Sequence, residues 1–123
     1  MKPCTEAIVS FGGKEFHIDR ALFDTGSNVT ILNPKVIPSN APPGDEACMH
    51  GPNSSWTAKT YCCTISLGPG NIILDNVPVV DFDLEVFDTV DIDLIIGMDI
   101  ITLGELTVKR KGKIPVFHFQ ISQ

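Results

Sequence analysis

The chain has 123 residues, of which 43% are hydrophobic, and it carries a formal net charge of −6 at pH 7. This length suits one domain with a single core, and the hydrophobic content excludes a disordered chain. The acidic balance argues against a nucleic-acid partner, whose phosphates need a basic surface, and weakly against an anionic membrane. We expect one domain over residues 1–123, with neither nucleic acid nor membrane as a partner.

The N-terminus and the cysteines bear on the cellular compartment. The chain begins Met1-Lys2-Pro3-Cys4 without an apolar signal core, and no stretch approaches the roughly 20 apolar residues of a membrane helix. Without a secretion signal, the four cysteines are expected to be reduced thiols. Cys62 and Cys63 are adjacent, so in a strand they point to opposite faces and do not pair. These features predict a cytoplasmic protein, or a piece of a longer one.

The first half of the chain predicts short strands separated by turns. Gly12-Gly13 lies between two β-prone runs and indicates a hairpin, while four prolines in residues 34–44 indicate an irregular loop. A long hairpin follows, with its tip at residues 51–55. The strands predicted here cover residues 6–11, 14–18, 21–23, 29–32, 47–50 and 56–67.

The second half predicts more strands and one short helix. Residues 98–103 are the helix candidate, and Gly104 is expected to stop it. In the last strand, Phe117, Phe119 and Ile121 alternate with polar residues, which indicates one apolar face. The strands predicted here cover residues 72–74, 77–80, 82–87, 94–96, 106–108 and 116–121. The whole pattern predicts a small all-β fold with one short helix near the C-terminus.

An Asp-Thr-Gly-Ser motif at residues 24–27 lies between two apolar runs. The first run carries the Asp24 carboxylate into a turn that glycine makes readily, so the carboxylate is expected to be partly buried and held by local hydrogen bonds. The structural alternative is an aspartate that only caps its own turn. The chain contains one such motif. Chemistry that needs two facing carboxylates would therefore need a second chain.

Three features occur in a fixed order: this motif, the long hairpin, and the apolar run Leu94-Ile95-Ile96 leading into Gly97-Met98-Asp99. In this order the chain resembles the retropepsin-like aspartic proteases, the single-domain relatives of pepsin, over roughly residues 6–108. The resemblance implies the acid-protease fold, which is a small closed β-barrel, together with a flap hairpin, one short C-terminal helix and a homodimer. It also implies that the chain hydrolyses a peptide or protein substrate without a cofactor or a metal.

The resemblance assigns a role to each residue of the motif. Asp24 from each of two chains would flank a water, with one carboxylate charged as general base and the other protonated to polarise the scissile carbonyl. The Thr25 hydroxyl would tie the two active-site loops together, and Gly26 would allow close approach of substrate. The Ser27 hydroxyl would donate to the carboxylate and favour its ionised form.

The hairpin over residues 48–62 would be the flap, beneath which an extended peptide pairs through its main chain. Trp56 lies just past the flap tip. It either covers a substrate side chain or packs the flap onto the body, and both interpretations stay open. The residues expected to contact substrate are His50, Gly51, Ser54, Ser55, Trp56 and Ile96.

Two departures from the retroviral pattern favour a second hypothesis. Asn28 and Met98 stand where an acidic residue and an arginine often form an ion pair near the dimer interface. Since both partners are absent, no buried charge is left alone, but the dimer contact must differ. The alternative is a catalytically weak or inactive module for dimerisation or peptide binding. A remoter alternative is a metal site built on Cys48, His50, Cys62 and Cys63, whose spacing matches no zinc-finger pattern.

Overall fold

A computed structural model of the chain describes residues 4–50, 55–68, 70–79 and 92–121. Within these ranges the chain forms nine strands, a four-residue α-helix and one turn of 3₁₀ helix at Pro34–Val36. The strands are β1 (Cys4–Phe11), β2 (Lys14–Phe23), β3 (Ile31–Leu32), β4 (Glu46–His50), β5 (Ser55–Leu67), β6 (Gly70–Pro78), β7 (Leu94–Ile96), β8 (Gly104–Lys111) and β9 (Ile114–Ile121), and helix α1 is Met98–Ile101. The predicted all-β fold with one short helix is confirmed.

Strands β1 to β7 form one curled sheet. Its order is β3-β7-β2-β1-β5-β4. Strand β5 is long enough to pair with β4 along residues 55–59 and with β6 along residues 60–67. Strands β2 and β7 run parallel, whereas the other pairs are antiparallel. An isolated bridge joins Leu32 at the end of β3 to Val79 just after β6. The sheet therefore curls far enough for β3 to reach the chain just after β6.

Several predicted boundaries differ from the observed ones. The predicted strands 14–18 and 21–23 are one strand, β2, because the pairing with β1 shifts register between Thr5 and Ala7. Such a bulge lets a strand continue past an interruption in its apolar pattern. Helix α1 ends at Ile101, and Gly104 begins β8 instead of ending the helix. The predicted strand 82–87 lies outside the described residues.

The core fills the inside of the curled sheet. Its largest side chains are nearly inaccessible to solvent, and burying each of them stabilises the fold by about 1.5–3 kcal/mol relative to an exposed side chain. Among them are Val9, Ile18, Leu32, Ile65, Leu94, Ile96 and Ile100. The ends of β2 and β7 are thus held in rigid surroundings.

Strands β8 and β9 form a separate two-stranded ribbon. At one end of it, the Phe119 ring lies 5.2 Å from the Phe23 ring, centroid to centroid. Toward the other end, Val108, Ile114 and Val116 are 59%, 63% and 43% exposed. The ribbon is therefore anchored beside the end of β2 and carries uncovered apolar side chains beyond that anchor.

Cys62 and Cys63 lie on opposite faces of β5, as predicted: the first is exposed and the second is buried. Burial raises the pKa of the Cys63 thiol from its ordinary value of 9.0 to about 12, and the negative charge of Cys62 adds to the rise. The folded chain therefore keeps a proton that the unfolded chain loses above about pH 9. Its contribution to stability is complete below that pH and is lost as the pH rises toward 12.

The raised pKa of Cys63 predicts how the stability of the chain depends on pH. The advantage of wild type over Cys63→Ala in free energy of unfolding should shrink by up to about 1.4 kcal/mol per pH unit above pH 9. Urea unfolding of both proteins at about pH 8 and about pH 10.5 measures this change. Subtracting the free energy of unfolding of Cys63→Ala from that of wild type cancels the ionisation of the other groups. A difference that stays constant between the two pH values would contradict the assignment.

Candidate active site

The Asp24 loop, residues 24–30, begins where the parallel strands β2 and β7 end side by side. Phe23 pairs with Ile96, and the Asp24 amide donates to the Ile96 carbonyl at 2.9 Å. Asp24 is half-buried. The Gly26 amide donates to Asp24 Oδ1 at 2.9 Å, and the Ser27 amide donates to the Asp24 carbonyl at 3.1 Å. The carboxylate is thereby oriented by its own turn, at the edge where two strands converge.

The middle of the loop lies directly against Gly97. The Met98 amide donates to the Ser27 carbonyl at 2.8 Å. A Cβ built on Gly97 would lie 2.9 Å from the Ser27 carbonyl oxygen and still closer to the Val29 carbonyl. Only a residue without a side chain fits at this position. The close approach explains why a glycine follows Leu94–Ile96.

The end of the loop is joined to helix α1 through Thr30 and Asp99. Thr30 is fully buried. Its hydroxyl donates to Asp99 Oδ1 at 2.6 Å and its amide donates to Asp99 Oδ2 at 3.0 Å. Neither residue was assigned a site role from sequence. A threonine inside the apolar run of residues 29–32 was the available signal, because a buried hydroxyl needs a partner.

The Ser27 hydroxyl does not act as expected. It donates to the Val29 carbonyl at 2.7 Å instead of to the Asp24 carboxylate. This bond closes the turn locally, so the carboxylate depends on the Gly26 amide for its orientation. A Cβ on Gly26 would lie 3.1 Å from Asp24 Oδ1, so glycine also leaves room at the carboxylate. Thr25 is exposed, and its tie to a second chain stays a prediction.

The flap has two chemically different faces. Residues directly opposite each other in a ladder share a face, and Met49 pairs with Trp56 while His50 pairs with Ser55. The face of Met49 and Trp56 also carries Ala58, which is only 6% exposed, so it is the face turned toward the body. His50 and Ser55 therefore lie on the outer face. Two of the residues expected to contact substrate, Gly51 and Ser54, fall outside the described residues.

The expected substrate contact at Ile96 needs a correction. Its side chain has no exposed surface and belongs to the core. Its backbone carbonyl is what takes part in the site, by accepting the Asp24 amide. From the strand pattern alone, an apolar residue beside the Asp24 loop is equally suited to line a binding site or to belong to the core. The parallel pairing with β2 places this one in the core.

Elsewhere in the described ranges, the structure has a cavity but no cluster of metal ligands. No group of three or more histidine, cysteine and acidic side chains there is arranged to hold a metal ion. A cavity of about 360 Å³ on the sheet of β1, β2 and β5 is lined by Glu6, Ala7, Ile8, His17, Ile18, Asp19, Ser66 and Gly68, none of which was a predicted site residue. In the same ranges, the structure contains no helix with the length and apolarity needed to cross a bilayer.

Neither a scan against protein-family models nor a search of curated protein sequences returned a match for this chain. The case for its function therefore rests on its residues and their geometry. That geometry brings together the carboxylate of Asp24, the amide of Gly26 and the segment Ile96 to Asp99.

Proposed function

We propose that the chain is an aspartic endopeptidase that acts as a homodimer, with Asp24 of each copy contributing one carboxylate. One observation carries the proposal. Asp24 is a half-buried residue at the shared end of two parallel strands, and the Gly26 amide donates to one oxygen of its carboxylate. A turn-capping aspartate alone would not need the further attachment of its loop to residues 96–99.

The proposed reaction uses two carboxylates that share one proton, because two such groups a few ångströms apart cannot both ionise. The charged carboxylate accepts a proton from water as the water oxygen attacks the scissile carbonyl carbon. The protonated one donates to the carbonyl oxygen. When the tetrahedral species breaks its C–N bond, the carboxylate that took the water proton gives it to the leaving nitrogen, and the other carboxylate takes a proton from a hydroxyl of the tetrahedral species, which restores the starting pair. Since the Gly26 amide holds Oδ1 of Asp24, we assign Oδ2 to the water.

The partner is proposed to be a second copy because the sequence contains one Asp-Thr-Gly motif. The ribbon of β8 and β9 lies beside Phe23, the residue before Asp24, and exposes Val108, Ile114 and Val116. Ile114 and Val116 share one face of the ribbon, and uncovered apolar side chains grouped on one face are typical of surfaces that associate. The cytoplasmic location expected from the sequence belongs to the same proposal.

The test is peptide cleavage from acid to neutral pH by wild type and by Asp24→Asn. A peptide library read by mass spectrometry reports cleavage at any of its sequences, so the substrate does not have to be chosen in advance. Wild type should cleave and the variant should not. Cleavage of equal extent by the two proteins would sink the proposal.

A second candidate function is a module that dimerises or binds peptides without turnover. The exposed apolar ribbon and the exposed Asn28 favour it, since neither requires a catalytic pair. Light scattering separates the possibilities in combination with the cleavage assay. A dimer that binds peptides but cleaves none supports the module, whereas Asp24-dependent cleavage supports the enzyme.

Trp56 provides a measurement on peptide binding that both candidates share. It is the only tryptophan, it lies on the flap face turned toward the body, and it is 42% exposed. Covering the exposed part of such a side chain is worth about 2 kcal/mol. Trp56→Ala should therefore raise KM, or the Kd of Asp24→Asn for a peptide, about tenfold or more.

The matched variant is Trp56→Phe, which keeps an aromatic ring and should retain most of the affinity. In Asp24→Asn, the emission of Trp56 should move to shorter wavelength when a peptide covers the ring. The other interpretation of Trp56 has a distinct signature. A lower melting temperature in Trp56→Ala, with KM unchanged, would mean that the ring packs the flap onto the body.

A further inference from the structure

The Thr30 side chain is the centre of a buried hydrogen-bond chain. It accepts from the Gly97 amide at 3.1 Å and donates to Asp99 Oδ1 at 2.6 Å. The Thr30 amide donates to Asp99 Oδ2 at 3.0 Å, and the Ile100 amide donates to Asp99 Oδ1 at 2.9 Å. Three donors therefore converge on one carboxylate. A charged carboxylate only accepts, so it matches this arrangement fully.

The direction of the two hydrogen bonds of the Thr30 hydroxyl is fixed by its partners, Asp99 and the Gly97 amide. Because Asp99 cannot donate when ionised, the Thr30 hydroxyl hydrogen must point to Asp99. The oxygen of that hydroxyl then presents a lone pair to the Gly97 amide. An amide side chain at position 99 would turn an NH₂ group against one of the three donors. The site thus requires an acceptor at both oxygens of residue 99.

The Thr30 hydrogen bonds are the third of three attachments between the Asp24 loop and residues 96–99. The loop is held at its start by the Ile96 carbonyl, at its middle by the Met98 amide, and at its end by Asp99. The first two are single backbone bonds at the loop's start and middle. The third is charge-assisted and fully buried on the Thr30 side, where water cannot replace it.

We propose that Asp99, acting through Thr30, is the positioning residue that sets the orientation of the Asp24 loop, and with it the approach of Asp24 to its partner carboxylate. This inference rests on the proposed function. Neither Thr30 nor Asp99 is assigned contact with the substrate. Their role follows from the geometry that two reacting carboxylates require, since a displacement of about 1 Å can cost a factor of about 100 in rate.

The kinetic test uses Thr30→Val, which keeps the shape and removes the hydroxyl, and Asp99→Asn, which removes one acceptor. Each should lower kcat by about 10- to 100-fold and change KM by less than about threefold. Thr30→Ser keeps the hydroxyl and should restore kcat to within about threefold of wild type. Melting temperature is recorded for every variant.

Thr60 supplies the matched control. It is 1% exposed, and its hydroxyl donates to the backbone carbonyl of Asp45, 15 positions earlier in the sequence. Thr60→Val should lower the melting temperature as Thr30→Val does, while the amide proton resonance of Gly26, whose N–H bonds Asp24 Oδ1, stays near its wild-type position. Equal shifts of that resonance in Thr30→Val and Thr60→Val would show that the hydroxyl matters only for stability, and would overturn the proposal.

A second readout keeps the inference separate from the proposed function. The amide proton resonance of Gly26 reports its hydrogen bond to Asp24 Oδ1. In Thr30→Val and Asp99→Asn this resonance should move well beyond the small change expected in Thr60→Val, and Thr30→Ser should return it to its wild-type position. If wild type cleaves nothing, the proposed function fails but this shift still decides the positioning role. An unmoved Gly26 resonance overturns the positioning role whatever the activity.

Discussion

Asp24→Asn is expected to lower peptide cleavage by about 10³-fold or more, because every proton transfer of the proposed reaction passes through one of the two Asp24 carboxylates. An asparagine keeps the size of the side chain and still accepts from the Gly26 amide, so the turn should survive. What disappears is the shared proton and the charge that makes one oxygen a base. Steady-state kinetics on any peptide cleaved by wild type measures the loss, with the melting temperature recorded beside it.

Mixing experiments sharpen this result. If each site takes one Asp24 from each of two chains, mixing wild type with Asp24→Asn in equal amounts leaves about a quarter of the dimers with two carboxylates. Activity should then fall to about a quarter of that of wild type alone at the same total protein concentration. A site contained in one chain would leave about half. The matched control is Asp19→Asn, the same chemical change at an exposed residue of β2, which should leave activity unchanged. Activity that falls only to half would contradict the shared site.

Gly97→Ala is expected to give the largest loss of stability of any single methyl addition considered for this site. The added Cβ would meet backbone atoms of Val29 and Ser27, and a backbone carbonyl cannot rotate away as a side chain can. Overpacking of this kind costs about 3 kcal/mol or more, and relief requires the Asp24 loop to leave residues 96–99. Urea unfolding should therefore show a lower midpoint, and the remaining folded protein should lack Asp24-dependent cleavage.

Gly12→Ala is the control for this substitution. Gly12 has φ of +57° and open space around it, so an added Cβ there costs only the strain of the left-handed conformation, about 1 kcal/mol. Gly97 has φ of −93°, which any residue adopts, so its cost comes from contact alone. If Gly97→Ala proves no more harmful than Gly12→Ala, the loop does not press on Gly97 as the structure has it.

Features set by neighbouring residues could be predicted from the sequence. The turn at Gly12-Gly13 forms where both glycines have positive φ, and the flap pairs around the small residues expected at its tip. The Asp24 turn could also be predicted, because an aspartate followed by a glycine two residues later favours this conformation on its own. In each case the signal and the structure lie within a few residues of each other.

The features that could not be predicted join distant parts of the chain. Thr30 and Asp99 are 69 positions apart, and nothing in either local pattern names the other as a partner. The burial of Ile96 depends in the same way on its pairing with Phe23. The two faces of the flap follow from strand alternation, but which of them turns toward the body is decided by the packing of Ala58.

The parallel pairing of β2 with β7 also determines when a site can exist during synthesis. The Asp24 motif leaves the ribosome early, but the Ile96 carbonyl, the Met98 amide and the Asp99 carboxylate that hold it are made much later. Contacts between such distant segments form slowly, since the intervening loop must first close. A nascent chain that ends before β7 therefore carries the aspartate without the surroundings that orient it. The order of synthesis thereby keeps an unfinished chain from assembling the proposed active site.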